Sequence, residues 1–243
     1  VFDKRDEIGG NLHVAKKPPF KGKFEWAIDY YKSMAKKLNI TMKLGKEVTA
    51  QEVLALKPHS ILVATGSNVI SIPLEGLDQV QTVQAHDVLA NDMQFANKKV
   101  VVIGGGITGL ETALYINRQG TNQVSVVDML PEWPVDMLDM RYQNEALLEV
   151  RHCNDQGVAL FYNNKVVKFA DGKLFIESTK DGEVKELPAD VIVLSVGVKP
   201  NDALWQELLA SGHPSVWKAG DAIATGKINK AVLHGSKFGY SLN

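Results

Sequence analysis

The stretch VVIGGGITGLETALYINRQG, residues 101–120, decides the fold of this chain. A short apolar run leads into a glycine-rich turn, and apolar residues then recur at helical spacing at Ile107, Leu110 and Leu114. The next apolar run, Val124–Val127, reads as a second buried strand. The stretch therefore predicts strand, helix and parallel strand in succession, which is the building unit of layered α/β folds.

The turn itself has the glycine spacing of a dinucleotide-binding loop. Gly104 permits a tight turn, Gly106 lets the backbone approach a pyrophosphate, and Gly109 allows close packing of helix and strand. The phosphates would lie at the helix N-terminus, where free N–H groups and the helix dipole favour negative charge. The residues predicted to bind this nucleotide are Gly104, Gly106, Ile107, Thr108, Gly109 and Asp128.

Asp128 closes the strand that follows the glycine helix, 24 positions after Gly104. A carboxylate there would accept hydrogen bonds from ribose hydroxyls and would repel a 2′-phosphate, which favours NAD over NADP. Two alternatives remain open. Arg118 or another nearby base could accommodate the phosphate, and Asp128 could be an ordinary turn residue.

Further elements surround this unit. Apolar runs predict strands at Ser60–Thr65, Lys99–Ile103 and Val191–Val196, and other patterns predict helices at Phe24–Leu38 and Tyr142–Gln156 and a strand at Ile40–Leu44. Asp-Gly pairs at 171–172 and 181–182 predict a small antiparallel meander over Val158–Leu187. The run ILVATGS, 61–67, has an echo in VIVLSVG, 191–197, which indicates two domains of related design.

Composition excludes several functions. The 243 residues carry a formal net charge of −1, so there is no basic footprint for nucleic acid and no polybasic patch for a membrane. No run of about twenty apolar residues occurs, and the first residues do not form a signal peptide. The single cysteine, Cys153, excludes a disulfide or an iron–sulfur cluster held by this chain. A cytoplasmic location is expected.

The first residues, VFDK, look like the end of a strand that carries its own ribose acceptor, Asp3, with Gly9-Gly10 in the turn beyond it. No glycine loop precedes them. Taken with the segments Ala64-Thr65-Gly66, Gly104–Gly109, Val196-Gly197 and Ala219-Gly220-Asp221, they resemble the two-dinucleotide-domain flavoproteins, the pyridine-nucleotide-dependent oxidoreductases.

This resemblance covers essentially the whole chain and implies two Rossmann-like three-layer α/β domains. FAD would lie on a domain that is split in sequence, 1–96 and 201–243, and lacks its first strand and glycine-rich loop. NAD(P)H would lie on the inserted domain, 97–200. Hydride would pass from the nicotinamide to the flavin, and the protein would contribute orientation and electrostatics, so no catalytic side chain is predicted.

The resemblance also implies the flavin-binding residues. Gly220 and Asp221 match the motif that faces the flavin ribityl and pyrophosphate, although a Gly-Asp pair is also common in plain turns. Lys230-Ala231 would open the helix that points toward the isoalloxazine ring. The implied set is Asp3, Lys4, Gly10, Leu12, Val48, Ala64, Thr65, Gly66, Val196, Gly197, Gly220, Asp221 and Ala231.

The stretch GGNLHVAKKPPFKGKFEWAIDYYKSMAKKLNITMKLGKEVT, residues 9–49, resembles the C-terminal region of the 2,4-dienoyl-CoA reductase, trimethylamine dehydrogenase and enoate reductase group. Those enzymes carry an N-terminal old-yellow-enzyme-like barrel with FMN and an iron–sulfur cluster, and none of that barrel is in this chain. The resemblance implies that the barrel is the partner and that only the step from nicotinamide to FAD occurs here. The oligomeric state is left open.

Two other functions remain open. Without its first loop the chain could be a non-catalytic nucleotide-binding fragment, or it could be a small stand-alone diaphorase that reduces quinones or dyes. A metal site is not expected, because the six histidines have no ligand spacing. Cys153 is interpreted as a packing residue in a helix.

Overall fold

A computed structural model of the chain describes residues 1–131 and 140–242. The strands are β1 Ile61–Val63, β2 Ser67–Val69, β3 Gln81–Gln84, β4 Lys99–Ile103, β5 Gln123–Val127, β6 Ala159–Phe161, β7 Asn164–Ala170, β8 Lys173–Ser178, β9 Val184–Pro188, β10 Val191–Leu194, β11 Val198–Pro200 and β12 Val216–Lys218. The helices are α1 Leu12–Ala15, α2 Phe24–Lys37, α3 Ala50–Ala55, α4 Ala85–Ala90, α5 Ile107–Asn117, α6 Met140–Asp155, α7 Ala203–Ala210 and α8 Ile228–Ser241.

The chain divides into two compact units. We call them the split unit, Val1–Ile8, Met34–Ile70 and Gly197–Asn243, and the central unit, Gly9–Ser33 and Ser71–Val196. The predicted α/β class is confirmed, since strands of parallel sheets alternate with helices along the chain and a small antiparallel sheet is present. No helix within the described ranges has the length and apolar character needed to cross a membrane.

The central unit is built on a five-stranded parallel sheet in the order β3-β10-β4-β5-β6. Its middle strands are apolar on both faces because both faces are covered. Val100 and Val102 of β4 face a core shared with α4, α5 and α6, and Val101 and Ile103 face a core shared with the antiparallel strands. The result is three layers, with helices on one side of the sheet and a meander on the other.

The meander consists of β7, β8 and β9 paired antiparallel. Its first hairpin turns at Asp171-Gly172, where φ is +51° and +73°, as a tight hairpin turn requires. The predicted meander is therefore confirmed with one correction to its start. Residues Ala159–Phe161 pair in parallel with β5 and extend the main sheet, and the antiparallel strands begin at Asn164.

The split unit is less regular. Strand β1 pairs in parallel with β12, and β2 pairs antiparallel with β11. The predicted strand at Ile40–Leu44 is wrong, because a single bridge between Phe2 and Lys43 is the pairing found there. The N–H of Lys43 donates to the carbonyl oxygen of Val1 at 2.8 Å, but Ile40, at the start of the segment, is 43% exposed.

The compact units also differ from the expected domain boundaries at 97 and 200. Strand β3 lies before residue 97, yet it hydrogen-bonds to β10 at the edge of the central sheet, so the central unit begins again at Ser71. Residues Gly9–Ser33 also belong to the central unit by their contacts. The predicted helices at Phe24–Leu38 and Tyr142–Gln156 correspond to α2 and α6.

Candidate functional site

The glycine loop of the central unit begins where β4 ends. Gly104 has φ +108°, and its N–H donates to the carbonyl oxygen of Val127 at 2.8 Å. A Cβ atom at this position would lie 2.2 Å from the carbonyl oxygen of Ser195, at the end of the neighbouring strand. Both the dihedral angle and the space therefore require glycine, and the chain turns sharply out of the sheet.

Gly109 lies in the first turn of α5 and faces back onto the same loop. A Cβ atom there would lie 1.9 Å from the carbonyl oxygen of Gly104 and 3.4 Å from Cβ of Ser195. The absence of a side chain lets α5 approach β4 and β10 closely. This is the packing role that the spacing of the third glycine predicts.

Gly106 has the opposite environment. It is the N-cap of α5, with φ −67° and ψ 173°, and a Cβ atom there would meet no atom within 4 Å. Ile107 and Thr108 follow as the first residues of the helix, whose initial N–H groups have no partner within the helix. The loop therefore leaves open space beside a helix N-terminus, which is where the sequence predicts the pyrophosphate of a dinucleotide.

Asp128 lies beside this loop, directly after β5. Its Oδ2 accepts the N–H of Gly105 at 2.5 Å, and its Oδ1 accepts the N–H of Leu130 at 2.8 Å. The two bonds hold the carboxylate against the glycine loop. Because each carboxylate oxygen accepts more than one hydrogen bond, the group can still receive a ribose hydroxyl.

Arg118, the base considered as a partner for a 2′-phosphate, lies at the other end of α5. It is the C-cap, and twelve residues of helical rise place it about 18 Å from Gly106. Its Nε donates to Gln156 at 3.1 Å, and its guanidinium lies 4.4 Å from the ring centre of Phe20. Arg118 is therefore committed elsewhere and does not serve the Asp128 end of the loop.

A partly buried charge network packs against helix α5. Lys21 forms ion pairs with Glu111 of α5 and, at 2.6 Å, with Glu145 of α6. Burial raises the pKa of Glu111 above its ordinary value, although the charge of Lys21 acts in the opposite direction. Burial acts to lower the pKa of Lys21, but the two carboxylates outweigh it and the pKa of Lys21 is raised. The network leaves no signal in the sequence, because its members are up to 124 residues apart.

Glu149 of α6 is 5% exposed, and burial raises its pKa above the ordinary value. The folded chain therefore binds more protons at this site than the unfolded chain, so stability falls as pH rises from the unfolded glutamate pKa of about 4.3 toward the raised value. We expect Glu149→Gln to raise Tm at pH 7 and to leave Tm unchanged near pH 4. Thermal unfolding at both pH values checks this.

The exposed Glu47 offers a matched control, since Glu47→Gln removes a charge without relieving burial. An equal rise in Tm for both variants would attribute the effect to net charge and contradict the burial argument.

Cys153 lies on α6, as Glu149 does. It is fully buried, and burial raises its pKa to about 12. This agrees with its interpretation as a packing residue.

In the split unit, Ala64, Thr65 and Gly66 follow β1 as expected. Oγ1 of Thr65 donates to the carbonyl oxygen of Asn201 at 2.5 Å, and the carbonyl oxygen of Gly66 accepts the N–H of Asn201 at 2.9 Å. Gly66 has φ +75° and no atom within 4 Å of a Cβ position. Gly197, with φ +102°, is nearly as open. This glycine-bordered turn can approach a cofactor closely.

The Gly220–Asp221 motif forms a short 3-10 turn between β12 and α8. Oδ2 of Asp221 accepts the hydroxyl of Ser67 at 3.3 Å, and Oδ1 accepts the N–H of Gly226 at 3.0 Å. Gly220 has φ +60°, and its Cβ position would lie 3.4 Å from Cβ of Ala231. The helix begins at Ile228, slightly before the predicted start. Ser67 and Gly226 carried no sequence signal as partners of this turn.

The remaining predicted flavin residues are spread over both units. Asp3, Lys4 and Val48 belong to the split unit, and Oδ1 of Asp3 accepts the N–H of Arg5 at 2.9 Å. Gly10 and Leu12 belong by their contacts to the central unit, as does Val196. The assignment of these residues to a flavin remains a prediction.

The central unit is thus a Rossmann-like nucleotide-binding domain with a complete glycine loop. The sequence model of the family "Pyridine nucleotide-disulphide oxidoreductase" matches residues 21–232. The chain belongs to this family of oxidoreductases, which confirms the resemblance seen in the sequence and agrees with FAD and NAD(P)H as the expected cofactors. With a single cysteine, this chain lacks the disulfide of the family description.

Similar proteins are longer than this chain. It is 33% identical to bilirubin reductase of Mediterraneibacter gnavus over 83% of its own length and 30% of the relative's. It is 29% identical to NADH oxidase of Thermoanaerobacter brockii over 100% of its own length and 37% of the relative's. A solved complex of 2-naphthoyl-CoA reductase superposes with a TM-score of 0.86 at 27% identity, over 98% of this chain and 35% of that one. The chain therefore spans about a third of these proteins.

Proposed function

We propose that this chain is the NAD(P)H:flavin oxidoreductase portion of a larger reductase. The observation that carries this proposal is the glycine loop, in which Gly104 and Gly109 are closely packed while Gly106 faces open space at the N-terminus of α5. When bound, NAD(P)H would supply a hydride and FAD would accept it. The contribution of the chain is to bind the pyrophosphate on the loop and to orient the ribose through Asp128.

NADH is the proposed donor rather than NADPH. The Asp128 carboxylate is held against the loop by Gly105 and Leu130, so it cannot swing away from a 2′-phosphate without breaking both hydrogen bonds. Arg118 is bound at the far end of the helix. A 2′-phosphate would therefore meet a fixed negative charge at this position.

FAD is proposed to lie on the split unit, along the turn after β1 and the Gly220–Asp221 turn. The sheet of this unit has an open side. In the central unit β10 has a partner on each side, β3 and β4, whereas among the described residues β1 has only β12. This supports the expectation that a further parallel strand with a first flavin loop belongs next to β1 in the parent protein.

The parent protein is proposed to carry an N-terminal barrel with FMN and an iron–sulfur cluster and to reduce an unsaturated substrate such as an enoyl- or dienoyl-CoA. The coverage of about a third of bilirubin reductase and of 2-naphthoyl-CoA reductase supports a large additional region. Electrons delivered to FAD would continue to that barrel. The acceptor pocket would then lie outside these residues.

The test is a titration of the purified chain with FAD, followed by anaerobic addition of NADH or NADPH. We expect flavin absorbance to remain with the protein after gel filtration, and NADH to bleach it at lower concentration than NADPH. A preparation that stays colourless with FAD present would favour the non-catalytic fragment. Rapid NADH-dependent reduction of a quinone or dye without a barrel would favour the diaphorase.

A further inference from the structure

We propose that His234 is a positioning residue for the Gly220–Asp221 turn and makes flavin binding depend on pH. The proposal rests on the proposed function, because it assumes that this turn holds the flavin. His234 lies in the second turn of α8, and its Nδ1 accepts the backbone N–H of Gly220 at 3.2 Å. The bond ties the first residue of the turn to the terminal helix.

The turn is held at three separate points, and His234 supplies one of them. Ser67 and Gly226 hold the two carboxylate oxygens of Asp221, as described above. His234 holds the backbone of Gly220. The φ of this residue is +60°, which residues with a side chain rarely adopt, and its α-carbon faces Ala231. Loss of the His234 bond frees the backbone at the residue that sets the direction of the Asp221 side chain.

The bond requires one state of the imidazole. Nδ1 must carry no proton in order to accept the N–H of Gly220. A protonated ring carries N–H groups on both nitrogens and cannot accept. A second proton on the ring would therefore remove this bond, which couples the turn to acidity.

Charged side chains lie on α8 and its N-cap and on the two elements next to α8 in the chain, which are the Gly220–Ala222 turn and β12. They are Lys218, Asp221, Lys227, Lys230 and Lys237. Asp221 is occupied by Ser67 and Gly226, and Lys218 pairs with Asp202 at 3.1 Å. The contact between His234 and Gly220 therefore has no carboxylate competing for the ring among its described partners.

The experiment compares the wild-type chain with His234→Asn and His234→Ala. The side-chain oxygen of asparagine takes nearly the place of Nδ1 and does not titrate, whereas alanine has no acceptor. The first readout is hydrogen exchange at the Gly220 amide without FAD, corrected for the intrinsic pH dependence of exchange. The second is the FAD dissociation constant of each protein, measured from pH 8 to pH 5.5.

We expect Gly220 of the wild type to exchange about fivefold faster after acidification, as loss of one hydrogen bond implies. His234→Asn should stay protected at every pH, and His234→Ala should be unprotected at every pH. FAD affinity should follow the same pattern. His59→Ala is the matched control, because the exposed His59 ring contacts only its neighbour Ser60 among the contacts of the described residues, and it should change neither readout.

Two results would overturn the proposal. One is equal protection of Gly220 in the wild type and His234→Ala, and the other is a protonation effect that persists in His234→Asn. An FAD dissociation constant that is the same in the wild type, His234→Asn and His234→Ala at every pH would also overturn the positioning role. If the wild type binds no FAD, the proposed function fails, and the exchange data alone then support or overturn the pH-dependent bond.

Discussion

Gly106→Val is expected to abolish NADH binding and to leave the fold intact. The dihedral angles of Gly106, φ −67° and ψ 173°, suit any L-residue, and a Cβ atom there meets no protein atom within 4 Å. The valine side chain would instead fill the space over the N-terminus of α5, where the pyrophosphate is proposed to lie. We expect at least a 100-fold loss of NADH affinity, about 2.7 kcal/mol, with an unchanged Tm.

Fluorescence titration with NADH and thermal unfolding check the two halves of this prediction. Gly106→Ala is the graded companion, because its single methyl group enters the same space and should weaken binding less than valine does. FAD binding of the split unit should be unaffected by both changes. An unchanged NADH affinity in Gly106→Val would show that the nucleotide lies elsewhere, and a collapsed Tm would contradict the open environment of this residue.

Gly109→Ala should destabilise the central unit severely. The new Cβ would lie 1.9 Å from the carbonyl oxygen of Gly104, a backbone atom that cannot turn aside as a flexible side chain can. Gly104 has no room to retreat, because its own α-carbon faces the carbonyl oxygen of Ser195. Helix α5 would have to move off the sheet, and we expect a loss of about 3 kcal/mol or more in the free energy of unfolding.

Urea unfolding of the wild type and Gly109→Ala measures this loss. Gly235→Ala is the matched control, since Gly235 is also within a helix but its Cβ position meets no atom within 4 Å. That change should stabilise the chain by up to about 1 kcal/mol, because alanine is the better helix former. Equal effects of the two substitutions would contradict the close approach of α5 to Gly104.

Taken together, the two glycines separate binding from folding within one motif. We expect Gly106 to matter for the ligand and not for packing, because a Cβ atom there meets no protein atom within 4 Å, and Gly109 to matter for packing, because a Cβ atom there would lie 1.9 Å from the carbonyl oxygen of Gly104. The sequence spacing already assigned these roles, and the open and closed environments around the two α-carbons agree with them.

Much of the central unit could be predicted from the sequence because its signals are local. Strand β4 was predicted with its observed bounds, since a fully buried parallel strand is a continuous apolar run. The pair Asp171-Gly172 predicted a hairpin because these residue types tolerate the positive φ that a tight hairpin turn requires, and both have positive φ in the structure. The candidate nucleotide site could be predicted for the same reason, because the loop and the acid are separated by one helix, α5, and one strand, β5.

Features that depend on distant pairing could not be predicted in this way. Strand β3 was not among the predicted strands, because nothing in Gln81–Gln84 indicates that β10, more than a hundred residues later, will pair with it. Ile40–Leu44 has a strand-like pattern, but its pairing with the first residues of the chain amounts to one isolated bridge, between Phe2 and Lys43, and not to a ladder. A strand exists only when another strand supplies its hydrogen bonds.

The amino-acid sequence alone specified the α/β class, the glycine loop with its acid and the nucleotide chemistry, because each is encoded within a few turns of chain. Tertiary structure alone decided which strands share a sheet, that Lys21 neutralises Glu111, that Arg118 lies away from the loop, and that His234 reaches Gly220. These depend on side chains and backbone groups brought together by the packing of the whole unit, and such contacts leave no periodic trace in the sequence.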